Sequence, residues 1–386
     1  MANKSKFDES VYWFFHSDNL RSLLINADNL LDSQHKIQFS VQVITSKFDI
    51  GDLFNLNKNP EYKIVERKKS KELLFFTIER KIKRQNITIN GNVLIIKYSL
   101  PNVYLIITHE PSQFIQKVLF KLLDNYYPKI SRMSMDSKSI HDILRKLQNS
   151  LENKNIRIIK VIKKGWVKSE FAKKKMESDI NWTDKSLDEV FQSIRESQEW
   201  IKSIDFAITR DKTSNNKSNQ SLENQDTFFG YIDNYRISRD GLFKCNHNFS
   251  HMFKNVIEEI AKRASFNFEL YDNRNRNKLD RYNPKPLQII FDYDIFRDKI
   301  ENRRLINVLN KISYSSCSVY HGNPYFQASY VDYRDGSSYD IWVLSDERMT
   351  IVPQMRSTPA SLNRLCESIF IGFREGIVKN FEGEYD

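Results

Sequence analysis

Residues 153–175 read NKNIRIIKVIKKGWVKSEFAKKK, a strand-forming centre loaded with nine Lys or Arg against one acid, Glu170. The β-branched run IRIIKVI favours extended chain. A cation taken into a core without a partner is costly, so such a strand must leave one side to water or to a polyanion. Lys154, Arg157, Lys160, Lys163, Lys164, Lys168, Lys173, Lys174 and Lys175 are therefore read as one wall of a cationic surface. Gly165 lets the chain turn, and Trp166 adds a ring beside the cations.

The net charge of +11 is unevenly placed. Residues 1–209 hold 35 Lys or Arg against 25 Asp or Glu, which leaves 25 and 24 for the rest. Abundant Lys, Asn and Ile with only 10 Gly is a coding bias that would raise Lys everywhere, so it does not explain this asymmetry. A one-sided excess is a physical argument for phosphates or another acidic surface.

The chain, 386 residues with 40% hydrophobic side chains, has material for two or three cores. No run of about eighteen apolar residues occurs, and the opening MANKSKFDESVYWFF has no cleavable apolar leader. Three Cys show no C-x-x-C spacing. These features lead to the expectation of a soluble, cytoplasmic protein with reduced thiols and no membrane contact.

Periodicity predicts an α+β fold, with antiparallel β-meanders each covered by helices, in two parts joined by a polar linker. Leu20, Leu23, Leu24, Ala27, Leu30 and Leu31 mark a first helix after Ser17 as N-cap. Strands follow over residues 62–109, with a hairpin turn expected at Asn90-Gly91. Two helices come next, one opening at Pro111 and one near 137–150. Ser186 and Glu189 form a capping box for a helix expected to reach Ile204. RDKTSNNKSNQSLENQD, residues 210–226, has one aliphatic residue and reads as a flexible linker or long loop. It divides a basic nucleic-acid-binding region, 1–209, from a near-neutral domain, 227–386, for partner docking, dimerisation or a cryptic site. That domain opens with a hairpin about Asp240-Gly241.

The basic stretch has companions on the early strands: Lys63, Arg67, Lys68, Lys69, Lys71, Arg80, Lys81, Lys83 and Arg84. If these strands and residues 153–175 converge, they form a basic groove that holds phosphates without reading sequence. Aromatic rings such as Trp166 could then stack on the bases of a single strand.

A sharper alternative is a metal-dependent nuclease. Asp52 followed by Glu66-Arg67-Lys68 resembles the restriction-endonuclease-like pattern over a few residues. There, carboxylates hold a divalent ion and the lysine (Lys68 here) steadies the attacking water or phosphate. Mg2+ is implied under that alternative only; no other cofactor is expected. Cys245, His247 and His251 are candidate zinc ligands, although C-x-H-x3-H matches no zinc spacing class. Asp292, Asp294, Asp332, Asp335 and Asp340 could meet at one sheet edge around magnesium. No phosphate-loop or dinucleotide glycine motif is present.

The expected function is nucleic-acid binding, DNA or RNA, through phosphate-backbone contacts on a basic surface, as a subunit of a larger complex. Besides the nuclease, the competing reading is a protein-interaction accessory subunit, for example in genome maintenance or antiviral defence, whose basic face meets an acidic partner.

Overall fold

Phe39, Val41 and Val43 alternate with Ser40, Gln42 and Ile44 along β1 (Phe39–Thr45), and all six are buried. A strand buried on both sides must lie inside a sheet that is covered on both faces. The computed structural model describes residues 17–33, 37–152, 154–165, 178–181, 186–197, 199–210, 234–276, 285–292, 294–322 and 325–381. The fold is α+β, and its strands form two antiparallel sheets.

The first sheet runs β2 (Tyr62–Lys69), β3 (Leu73–Ile82), β4 (Ile87–Lys97), β5 (Val103–Thr108), β1, β11 (Leu242–Cys245), β10 (Tyr235–Ser238), β9 (Glu199–Arg210), β7 (Lys154–Gly165) and β8 (Ser178–Asn181). β6 (Ser131–Arg132) adds to β1 off this path. One face, here the first face, is packed by α1 (Leu20–Ser33), α4 (Ser137–Asn149), α5 (Leu187–Glu196) and α6 (249–272). The opposite, second face is packed at one end only, by α2 (Ile50–Asn55) and α3 (112–125).

The second sheet runs β13 (Ser315–Gly322), β14 (Phe326–Asp332), β15 (Ser337–Val343), β16 (Arg348–Pro353), β12 (Leu287–Ile290) and β17 (Ile377–Asn380). Its inner face packs on α7 (Lys299–Asn310) and α8 (Pro359–Gly372). Helix α6 serves both cores: Phe253, Val256 and Ile260 lie in the first, Leu270 and Tyr271 in the second.

Buried polar contacts fasten the two parts. Asp332, fully buried, accepts hydrogen bonds from the Tyr127 hydroxyl at 2.9 Å and the Ser361 hydroxyl at 3.1 Å, and pairs with Arg364 at 2.7 Å. Arg239, 4% exposed, pairs with Glu375 and lies over the Trp200 ring. A buried carboxylate so surrounded cannot lose a partner cheaply.

Several elements differ from the sequence expectation for physical reasons. The first helix is capped by Asn19, whose side chain accepts the Ser22 N–H at 2.9 Å. Ser17 instead accepts from Asn26. The Ser186–Glu189 capping box forms, but α5 ends at Glu196, and Ile201 and Ile204 lie on β9. Both isoleucines enter the same core because a register shift beside Lys202 breaks the alternation, and their spacing of three is easily mistaken for helical spacing. Asn90-Gly91 is not a turn. The β3–β4 reversal occurs at Lys83–Gln85, closed by left-handed Asn86, and Gly91 sits within β4. A Cβ on Gly91 would lie 2.7 Å from the Phe114 ring, so the missing side chain admits α3.

The Asp240-Gly241 hairpin does form, with Gly241 at φ +73°, but β10 and β11 enter the first sheet between β9 and β1. Sequence on both sides of 210–226 thus builds one sheet. The two sheets part after α6 instead, and residues 211–226 lie outside the described residues.

Candidate nucleic-acid interface

Strand pairing decides which way each cation points, because directly opposed residues of an antiparallel pair share a face. In β7, Ile156, Ile158 and Val161 oppose Ile208, Phe206 and Ile204 and point to the first-face core. Arg157 and Lys160 oppose Ala207 and Asp205 and point to the second face. Register shifts between Ile158 and Lys160, and again between Ile162 and Lys163, then turn the strand. As a result Lys163 opposes Ile201 on the core side, where it is buried and paired with Glu199. Lys154, two residues before Ile156, shares that side. Lys164 opposes Trp200 on the second face, its ammonium 5.8 Å from the ring centroid.

Two neighbouring strands contribute cations to that face. Arg236 opposes Asp205 of β9 and Lys244 of β11. One row therefore crosses the sheet as Lys160, Asp205, Arg236, Lys244, Ser40. Asp205 holds Arg236 by two bonds of 2.5 and 2.7 Å, and Lys244 donates to the Ser112 hydroxyl at 2.9 Å. Arg236 and Lys244 face each other directly, about 5 Å apart between Cα atoms, a like-charge pairing that Asp205 partly screens. Burial, and then the Arg236 charge, push the Lys244 ammonium below its ordinary pKa. Arg157, Lys160, Lys164, Arg236 and Lys244 thus share one face of four neighbouring strands with Asp205, and Lys244 borders the start of α3 at Ser112.

The early-strand cations do not join this cluster, although Lys69 and Arg80 lie on the same face at the far end of the sheet. β3 and β7 lie seven strand positions apart in the first sheet. Lys68 opposes Phe75, whose ring lies in the first-face core, so Lys68 points to that face and binds Asp18 at 2.7 Å. Arg67 reaches Thr77, and Lys81, in step with Leu73 and Phe75, shares the first face. Lys83 and Arg84 sit in the β3–β4 turn. The single groove expected from both groups is replaced by cations at opposite ends of the sheet, with Lys68 and Lys81 on the first face and Arg157, Lys160 and Lys164 on the second. Trp166, Lys168, Lys173, Lys174 and Lys175 lie outside the described residues.

The Asp52, Glu66, Lys68 arrangement is also parted. A register shift lies between Glu66 and Lys68, so Glu66 opposes Phe76 on the second face while Lys68 turns to the first. Glu66 accepts a hydrogen bond from Asn55 at 2.8 Å, and Asp52 lies in the first turn of α2. A Glu-x-Lys site needs both side chains on one face, which the bulge prevents.

Among the described residues no three of His, Cys, Asp and Glu are placed to hold a metal ion. Cys245 is fully buried and donates its thiol to the His247 carbonyl. His247 pairs with Asp32, and His251 sits beside Asn255, its pKa lowered by burial and then by Lys154 and Lys254. The second-half acids are similarly occupied. Asp335 accepts from Thr358 and Asp340 from Gln354, while Asp332 joins the two parts.

Arg236 and Lys244 are the cations that sequence reasoning left out. Their signal was present: each alternates with core residues, Tyr235 and Ile237 in β10, Phe243 and Cys245 in β11. No family model matches the chain, and no curated protein matches it. No described helix is long and apolar enough to cross a membrane.

Proposed function

We propose that this protein binds nucleic acid through the phosphate backbone, on the second face of β7, β9, β10 and β11. The observation that carries the reading is the cross-strand row Lys160, Asp205, Arg236, Lys244, in which one acid stands among three cations, joined on the same face by Arg157 and Lys164. Cations held this close are stabilised by a ligand that brings regularly spaced negative charge, and releasing that ligand's counterions favours binding. The reading rests on backbone charge alone, so affinity should depend on charge and salt far more than on sequence.

A basic face of this kind also fits an acidic protein surface, the second reading. The two separate in competition. A labelled oligonucleotide bound to the purified protein is challenged with unlabelled DNA or RNA of unrelated sequence and, separately, with polyglutamate. Displacement by nucleic acid at far lower charge concentration than by polyglutamate supports the proposal; equal displacement by both favours the acidic-protein reading.

A further inference from the structure

Among the described residues, Asp205 is the one carboxylate that strand pairing places on the second face of β7, β9, β10 and β11. It stands within β9, opposite Lys160 on one side and Arg236 on the other. Arg236 engages both of its oxygens: Nε donates to Oδ1 at 2.5 Å and Nη2 to Oδ2 at 2.7 Å. The Arg236 side chain is 38% exposed and that of Asp205 13%, so the cation is the more accessible of the two. A phosphate takes a guanidinium in the same way, with two oxygens accepting a parallel pair of bonds. Asp205 therefore holds donors that a backbone phosphate would use.

The acid has a physical reason to be there in the unliganded protein. Without its charge the row would carry three cations, and like charges directly opposed weaken a sheet. Burial and then the Arg236 charge lower the Lys244 pKa, and Asp205 opposes both. A bound phosphate would bring the same negative charge to the same row, so carboxylate and ligand compete for one role.

We propose that Asp205 is an internal competitor for ligand phosphate: it occupies Arg236 and screens the row in the unliganded protein, and yields Arg236 to a phosphate of the bound backbone. Its charge thereby keeps affinity below what the cations alone would give. This inference rests on the nucleic-acid reading and adds to it a built-in limit on affinity.

The test measures binding of a single-stranded oligonucleotide over a series of salt concentrations. It compares the unmodified full chain with Asp205→Asn, Asp205→Glu and the double variant Asp205→Asn, Arg236→Gln. Asn keeps the size of Asp and removes its charge. It is expected to bind about three- to tenfold more tightly at low salt, with a log–log slope steeper by about one unit as one more phosphate is neutralised. Glu keeps the charge and should return affinity close to that of the unmodified chain. In the double variant the gain should vanish, because Arg236 is the group released. Thermal unfolding separates binding from stability: Asp205→Asn should melt lower when free and gain more from saturating oligonucleotide than the unmodified chain does. A measurement on the unmodified protein guards against a misfolded variant: the Arg236 Nε–H resonance should shift on adding oligonucleotide, as its acceptor changes from carboxylate to phosphate. Salt-sensitive binding by the unmodified chain with no gain in Asp205→Asn, a gain that persists without Arg236, or an Arg236 resonance that stays in place under bound oligonucleotide would each overturn the inference and leave the nucleic-acid reading standing. If neither the unmodified chain nor Asp205→Asn shows salt-sensitive binding, the reading itself fails and the inference with it.

Discussion

The second face of the first sheet is finished in two ways along its length. Over β2 to β1 it carries Phe76, Ile78, Val93, Ile95, Ile106 and Ile44, roofed by α2 and α3. Over β11 to β7 the same face carries Lys244, Arg236, Lys160, Arg157 and Lys164. Pleating, pairing direction and the covered first face are common to both halves, so the difference lies in side-chain chemistry and in the helices it recruits. An apolar face must be covered to be stable in water, whereas a charged one can stay accessible. The contrast teaches that the cations are not scattered over whatever surface was left. They gather on the part of that face beyond the apolar roof, with Lys244 bordering α3 at Ser112.

Removing the roof should have the largest effect. Phe114, fully buried between α3 and Gly91, is expected to cost about 3–5 kcal/mol when changed to Ala, read as a lower urea midpoint. Gly91→Ala forces a Cβ against the same ring and should cost about 1–3 kcal/mol. In the cationic half the balance is reversed. Lys160→Ala and Lys244→Ala should each change stability by within about 0.5 kcal/mol. Each should also weaken polyanion binding and flatten its salt dependence by about one unit of slope. If either lysine change destabilised the fold as much as Phe114→Ala, the contrast between the halves would break.

The smallest effect is a pH dependence. Lys244 has a folded-state pKa below its ordinary value, so the unfolded chain binds this proton more tightly. Stability of the free protein should therefore rise slightly as pH climbs through the window between the lowered and the ordinary value. Polyanion affinity should fall over the lower part of that window as the ammonium loses its proton, and Lys244→Ala should remove that component. Titrating affinity against pH for both proteins checks the sign.

Much of the architecture was legible because alternation and turn chemistry are local. The meanders, the capping box at Ser186 and the Asp240-Gly241 turn all follow from near neighbours in sequence. What escaped depends on distant pairing. Nothing near Tyr235 says that its strand inserts between β9 and β1, 190 residues from the latter in the case of Thr45. Bulges were equally hidden. One displaced residue in β7 sends Lys163 inward and leaves Lys164 outward, and another in β2 separates Glu66 from Lys68. A one-residue shift reverses the face of every side chain beyond it, so strand charge counts alone could not assign the cations to a side.

The central claim is that the Lys160, Arg236, Lys244 face carries the binding. Its most direct test compares the salt dependence of single-stranded oligonucleotide binding by the unmodified protein and by the triple variant Lys160→Ala, Lys164→Ala, Lys244→Ala, at matched thermal stability. The account expects salt-sensitive binding whose log–log slope becomes shallower by about two units in the triple variant. Binding with an unchanged slope, or no salt-sensitive binding by the unmodified protein, would contradict it.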